Sequence, residues 1–328
     1  MTTYSTNAFC DQSTDANFQA WVDEVFTGLV TQCGMTQTAD TGQMATPCAT
    51  AHPAGTSTVG YYVLRFNDTL QSTTPIFIKL DFGASSNGSN YPTMLITVGT
   101  GSNGSGTITG AMAKSTAVMG YVVGQVTSNF VSRFVYNATQ GVAGMAFKIG
   151  AYSAATTQYS GLGGFYIYRT VDNTGAPTAD GFHVIFNLYN SSSGFPFSAP
   201  VMAFYNANNT TWYPVVSGTP NGASGAWAHV PFGAGFTLQS TTGQLLPVYQ
   251  YRATSSTPGL GITNACAMAF GAEISVGSTA VCTILGSTSL TYISVMGAFG
   301  SYTGPGNWSG FGNSSGGAPY GTFMMLWQ

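Results

Sequence analysis

The chain carries 7 Lys or Arg and 10 Asp or Glu in 328 residues, so charged side chains are 5 % of it and the formal net charge is −3, against about 25 % charged residues in ordinary soluble domains. With 44 % hydrophobic and 13 % aromatic residues, this is not a disordered chain, which combines low hydrophobicity with high net charge. So few basic residues cannot form the phosphate-tracking stripe of a nucleic-acid binder, and no apolar run is long enough for a membrane-spanning helix.

The opening residues, MTTYSTNAFCDQ, show no basic region followed by an apolar run, so no secretory leader is expected. One helix is legible after them. Ser13 or Thr14 is placed to cap it, Asp15 falls in its first turn, and Gly34 stands where it would stop. Trp21, Val25 and Leu29 form one row at helical spacing, and Phe18, Val22 and Phe26 form the next. Gln19, Asp23 and Glu24 take the other side. The apolar stripe must lie on something: its own β domain, or a neighbouring subunit, in which case Phe18, Trp21, Val25, Phe26 and Leu29 are assembly contacts.

Beyond Gly34 the chain reads as strand and turn. YYVLRF (61–66), PIFIKLDF (75–82) and TMLITVG (93–99) are β-branched and aromatic runs. The Gly/Ser-rich stretch 99–110, GTGSNGSGTITG, is the best place for a boundary. It would divide a helix-plus-β attachment region, 1–110, from a larger all-β domain, 111–328. Further strands are expected at 121–136, 145–149, 164–169, 183–190, 199–206, 212–216, 235–239, 245–252, 265–275, 280–285, 290–298 and 322–327. Turn signals between them point to a mainly β protein, an antiparallel β-sandwich or barrel-like fold with one N-terminal amphipathic helix. The apolar tail GTFMMLWQ, with Trp327, is expected in a core strand or an intersubunit contact.

Catalytic chemistry finds little to use. Of ten carboxylates only Asp172, Asp180 and Glu273 lie beyond residue 81. Glycoside hydrolysis needs two carboxyls roughly 5–10 Å apart, and in VDNTGAPTADG the ordinary work of Asp172 and Asp180 is to close turns. His52, His183 and His229 make no metal-binding pattern. No cofactor or metal is expected, and no enzyme. The five cysteines have no zinc spacing; Cys266 and Cys282 flank a plausible hairpin and are either a disulfide or free thiols. Aromatic rings among small polar residues suit a recognition surface. Trp212, Tyr213, Trp227, Trp308 and Tyr320 are the candidate glycan or receptor contacts, or else they close the ends of the β core.

A surface so poor in charge favours association, which points to a homo-oligomer packed against other chains. The stretches STDANFQAWVDEVFTGLVTQCGMTQTADTGQM, YYVLRFNDTLQSTTPIFIKLDFG and PTMLITVGTGSNGSGTITG resemble the first third of structural proteins of tailed-bacteriophage particles. The resemblance implies a non-enzymatic component of the tail, fibre or baseplate, or a capsid-decorating subunit. It implies a virion location after assembly in the host cytoplasm. Implied partners are further copies of the chain, in such parts often as a trimer, other virion proteins, and a host-surface glycan. It supplies no catalytic motif, and a polysaccharide depolymerase is the least favoured reading.

Overall fold

The computed structural model describes residues 2–9, 14–53, 58–84, 92–112, 129–139, 141–148, 162–172, 176–186, 201–214, 227–231, 237–238, 244–252, 260–270, 279–283, 289–296 and 321–326. These residues are mainly β, in antiparallel pairings, with one N-terminal helix. The chain divides into two units, one made chiefly by residues 2–165 and the other chiefly by 166–185 and 199–328.

In the first unit, β1 (Thr2–Phe9) precedes α1 (Asp15–Phe26). Thr14 has extended backbone, and its hydroxyl accepts from the Asn17 amide at 3.2 Å, the cap that the helix start requires. The helix widens into a π-helical stretch, Thr27–Gln32, and ends where Gly34 takes φ 91°. β2 (Thr36–Gln37), β3 (Thr58–Arg65), β4 (Phe77–Ala84) and β5 (Pro92–Gly99) then form an antiparallel sheet in chain order. Alternation along the strands sets one face: Tyr62 and Leu64, Ile78, Leu80 and Phe82, and Met94, Ile96 and Val98 are all buried.

The helix stripe packs on this face. Trp21 meets Phe82 edge-on at 5.3 Å, and Phe26 lies 4.9 Å from Tyr62. β8 (Asn129–Asn137) pairs with β1 and with β9 (Val142–Lys148). A Cβ on Gly28 would lie 2.5 Å from the Phe134 ring, so the widened turn sits directly on β8. Phe18, Trp21, Val25, Phe26 and Leu29 are therefore at most 9 % exposed within a single chain. This corrects their assignment as assembly contacts: the stripe is consumed by its own unit, because a helix placed between strand layers has no apolar side left over.

The expected boundary at 110 does not coincide with the observed division. β1 pairs with β8, across that position. The Gly/Ser-rich stretch is folded too, as the small hairpin β6 (Gly101–Ser102) and β7 (Ile108–Thr109). It is bound to the end of β5 through the Thr100 amide on the Thr109 carbonyl (2.9 Å) and the Met112 amide on the Val98 carbonyl (3.1 Å).

The second unit contains β10 (Leu162–Val171), which enters it at Tyr166, β11 (Pro177–Phe186), β12 (Val201–Asn206) and β13 (Thr211–Pro214), each paired with the next. The remaining strands are β14 (Trp227–Pro231), β15 (Thr237–Leu238), β16 (Gln244–Arg252), β17 (Leu260–Phe270), β18 (Thr279–Thr283), β19 (Ser289–Met296) and β20 (Gly321–Leu326). β17 pairs with β16 and β20, and the order continues from β20 through β19 and β18 to β15. The apolar strand near the C-terminus is thus flanked by strands on both sides, whereas Trp327 lies outside the described residues. The expected hairpin between Cys266 and Cys282 does not form. Cys266 is on β17 and Cys282 on β18, with β20 and β19 between them. Three strand spacings of about 4.8 Å exceed the Cα separation a disulfide tolerates.

Candidate functional site

The β10–β13 sheet carries aromatic side chains on both faces. On one, Tyr168 stacks on His183 at 4.8 Å and 19°, and His183 lies 4.6 Å from Phe204. These three are almost fully buried, so His183 is a core ring. On the other face Phe182, Tyr205 and Trp212 form a triangle. Their centroids are 5.2 Å apart for Phe182–Tyr205, 5.4 Å for Phe182–Trp212 and 5.2 Å for Tyr205–Trp212. Tyr205 and Trp212 are cross-strand partners in the β12–β13 hairpin, the arrangement in which aromatic pairs stabilise a ladder.

Within that triangle Phe182 and Tyr205 are buried and Trp212 is half-buried. Trp212 is therefore a buttressed aromatic residue that is not fully buried. The turn beside it, 207–210, has exposed Asn208, Asn209 and Thr210, with Thr210 at φ 53° and the Asn208 amide donating to Asn206 Oδ1 at 3.0 Å. Rigid aromatic surface and neutral amides and hydroxyls are thus adjacent. Of the other proposed contacts, Tyr213 lies on β13 opposite Phe204 and Trp227 on β14 opposite Arg252, but their side chains lie outside the described residues. Trp308 and Tyr320 lie outside them entirely.

Of the carboxylates near this sheet, that of Asp172 does structural work. Asp172 Oδ1 accepts from the Ala176 amide at 3.0 Å, and its own amide donates to the Ala176 carbonyl at 2.9 Å, closing the β10–β11 turn. Asp180 is exposed, and its carbonyl accepts from the Ala207 amide at 2.9 Å. Glu273 lies outside the described residues. Among the described residues no three His, Cys, Asp or Glu side chains come together as a metal site.

The first unit holds two polar constellations that pattern reading did not assemble. Asp15, Gln19 and Asp23 recur every four residues along α1, and the extended segment 48–52 lies against them. Asp23 Oδ1 accepts from the Cys48 amide at 2.7 Å, Gln19 Nε2 donates to the Thr50 carbonyl at 3.2 Å, and Asp15 Oδ1 accepts from the His52 amide at 2.9 Å. One turn of helix advances nearly as far as two extended residues, so alternate backbone groups of the segment meet successive turns. The His52 ring also bonds Asp15, which holds that carboxyl below its usual range. Under the segment lies the Cys48 thiol, and Cys33 is buried elsewhere in the unit; burial raises both, Cys33 to about 12, so neither is a ready nucleophile.

The second constellation centres on Asp40, 9 % exposed. Its carboxylate accepts from Thr38 Oγ1 (2.6 Å), from the Ser102 hydroxyl and from the Gly106 amide (2.8 Å). The Thr41 amide adds a bond to the Gly104 carbonyl at 2.8 Å. Gly106 is required here, since a Cβ would stand 2.3 Å from Tyr61 Cζ and the backbone takes φ 81°. Burial pushes the Asp40 carboxyl up, but the Ser102, Thr38 and Gly106 donations together outweigh it and hold the group below its usual range. Its contribution to stability is therefore fully present above the ordinary carboxylate range and is lost as pH falls through the depressed value. Asp40→Ala is expected to cost about 1–3 kcal/mol through the donors it strands. Urea unfolding as a function of pH checks this: the variant should lose part of the wild-type decline on the acid side, and an unchanged acid limb would contradict it.

No protein-family model, no curated protein and no solved structure matches this chain.

Proposed function

We propose that this chain is a non-catalytic structural component of a bacteriophage particle, of the tail, fibre or baseplate type, acting as a homo-oligomer beside other virion proteins. The placement in a phage rests on the sequence resemblance over the first third of the chain. The observation that carries the structural role is scarcity of charge in a β-rich chain: only 5 % of residues are ionic. Ion pairs among the described residues include Lys79–Asp81 and His52–Asp15. Polar groups are instead used in hydroxyl, amide and backbone networks such as those of Asp40 and α1. A surface of that kind lacks the repulsion that keeps monomers apart. Size-exclusion chromatography with light scattering tests the reading; an assembled species is expected, and a stable dilute monomer would overturn it.

A second reading, recognition of a neutral glycan, is favoured by one observation. Trp212 is buttressed by Phe182 and Tyr205 yet is only half-buried, beside exposed Asn208 and Asn209. A fixed ring loses little entropy when a sugar's apolar face settles on it. On a glycan array, Trp212→Ala should abolish a signal that Asp180→Asn leaves intact. Absence of any signal from the wild type removes this reading and leaves the first one standing.

A further inference from the structure

We propose that Asn103–Gly104, at the tip of the β6–β7 hairpin, is a self-modifying site at which the fold promotes conversion of Asn103 to aspartate and isoaspartate through a cyclic imide. The reaction needs a backbone nitrogen able to reach the preceding side-chain amide, a base for that nitrogen's proton and donors for the oxygen that becomes negative. The proton acceptor and the donors surround this dipeptide, and glycine after asparagine leaves the nitrogen sterically unhindered. Asn103, Gly104 and Ser105 are exposed, so water reaches them. Gly104 has no Cβ to obstruct its own nitrogen and takes φ 81°, with open space around the Cβ position.

The Gly104 amide donates to Ser102 Oγ at 3.3 Å, and the Ser102 hydroxyl in turn donates to Asp40 Oδ2. A proton leaving the Gly104 nitrogen therefore has a path through a hydroxyl to a carboxylate. The Asn103 side-chain oxygen accepts from the Ser105 amide (2.9 Å), the Ser105 hydroxyl (3.0 Å) and the Thr107 amide (3.0 Å). Three donors at that range polarise the Asn103 amide and suit the oxyanion of a tetrahedral intermediate better than the neutral carbonyl. The Asn103 amide also donates to the Thr107 carbonyl at 3.0 Å, so the frame is held on both sides.

The Gly104 nitrogen bonds to Asn103 Cγ as its proton passes to Ser102 Oγ and the Ser102 proton passes to Asp40. The bond from Cγ to the side-chain nitrogen then breaks, and that nitrogen takes a proton from solvent water at this exposed tip and leaves as ammonia, while Asp40 returns its proton to solvent. Water opens the five-membered imide at either carbonyl. One opening yields aspartate; the other yields isoaspartate, with the main chain routed through the side-chain carbon. Either product puts a new carboxylate beside the Ser102–Asp40 pair, and isoaspartate also lengthens the hairpin backbone by one carbon.

The experiment uses the full chain, kept folded at neutral pH and physiological temperature and, in parallel, unfolded in guanidinium. Timed samples are digested, and the peptide containing Asn103 is quantified by mass spectrometry, with isoaspartate measured by enzymatic methylation. The Asn–Gly pairs at Asn87 and Asn221, which lie outside the described residues, are read from the same digests as separate peptides. Conversion at Asn103 is expected to be at least roughly tenfold faster in the folded chain than in the unfolded one, a modest share of what a positioned base and oxyanion donors supply. Ser102→Ala should bring the folded rate down to the unfolded rate, and Ser102→Thr, which keeps the hydroxyl, should restore it. The unfolded rates of all three proteins should agree. A folded rate equal to or below the unfolded one, or a native rate kept by Ser102→Ala, overturns the proposal.

Discussion

Trp21→Ala should lower the unfolding free energy of the first unit by about 3–5 kcal/mol, the range for removing a large buried aromatic side chain. Trp21 is 2 % exposed, and its ring meets Phe82 edge-on and lies 6.3 Å from Phe18. Phe82 is in turn edge-on to Tyr62 at 5.9 Å, and Tyr62 touches Phe26. The deletion opens a cavity at the middle of the contact between α1 and the β3–β5 face. Neighbouring rings held by cross-strand pairing cannot collapse to fill it. Trp21→Phe should recover more than half of the loss. Urea unfolding followed by circular dichroism measures both, with two transitions anticipated for a chain of two units. Only the transition belonging to the first unit should move. A loss below about 1 kcal/mol would show that this helix does not anchor the core.

Gly181→Ala is the counterpart in the second unit, with excess volume in place of a cavity. A Cβ at position 181 would stand 2.0 Å from the Tyr205 carbonyl oxygen and 2.9 Å from Phe204 Cε2. A side chain can swing aside, but a strand carbonyl cannot move without breaking its ladder. The β11–β12 pairing must therefore open, and with it the bond from the Ala207 amide to the Asp180 carbonyl. The expected cost is at the upper end of the 1–3 kcal/mol seen on overpacking, or somewhat beyond it. Because Trp212 leans on Phe182 and Tyr205, near-ultraviolet dichroism should change with the same substitution. Retention of wild-type stability and aromatic signal together would disprove this account of the glycine.

Helix α1 was readable because its signals are local. Two apolar rows at helical spacing, Thr14 before them and Gly34 after them lie within about twenty residues, and all of them appear in the structure. Most strands followed from β-branched and aromatic runs in the same way. β1 and β14 were missed: TTYSTNAF and WAHVP alternate poorly and owe their state to partners far along the chain, β8 and β16. The 99–110 stretch was misread for a related reason. Glycine and serine at that density resemble a linker, but a linker becomes a hairpin when a distant acceptor satisfies its donors, and Asp40 is 62 residues from Ser102. The row Asp15, Gln19 and Asp23 looked like an ordinary solvated helix face. Its partners are backbone groups of an extended segment, which have no side-chain signature.

The candidate site divides along the same line. Trp212 stands out from composition, since its large ring interrupts the small polar run of NNTTWYP, but composition could not say whether that ring is free or spent. The outcome depended on Phe182, thirty positions earlier, and on the cross-strand position of Tyr205. Likewise Cys266 and Cys282 are near in sequence, and strand order alone keeps them apart.

By itself, then, the sequence determined the β class, the single amphipathic helix and the scarcity of charge, because periodicity, capping residues and composition are properties of neighbours along the chain. The tertiary structure alone decided what covers the helix stripe, which carboxylates serve as acceptors for distant amides, and which aromatic residue of the Phe182–Tyr205–Trp212 triangle stays half-buried. Those outcomes depend on pairings between segments tens of residues apart, where the free energy comes from burial and satisfied hydrogen bonds and not from local preference.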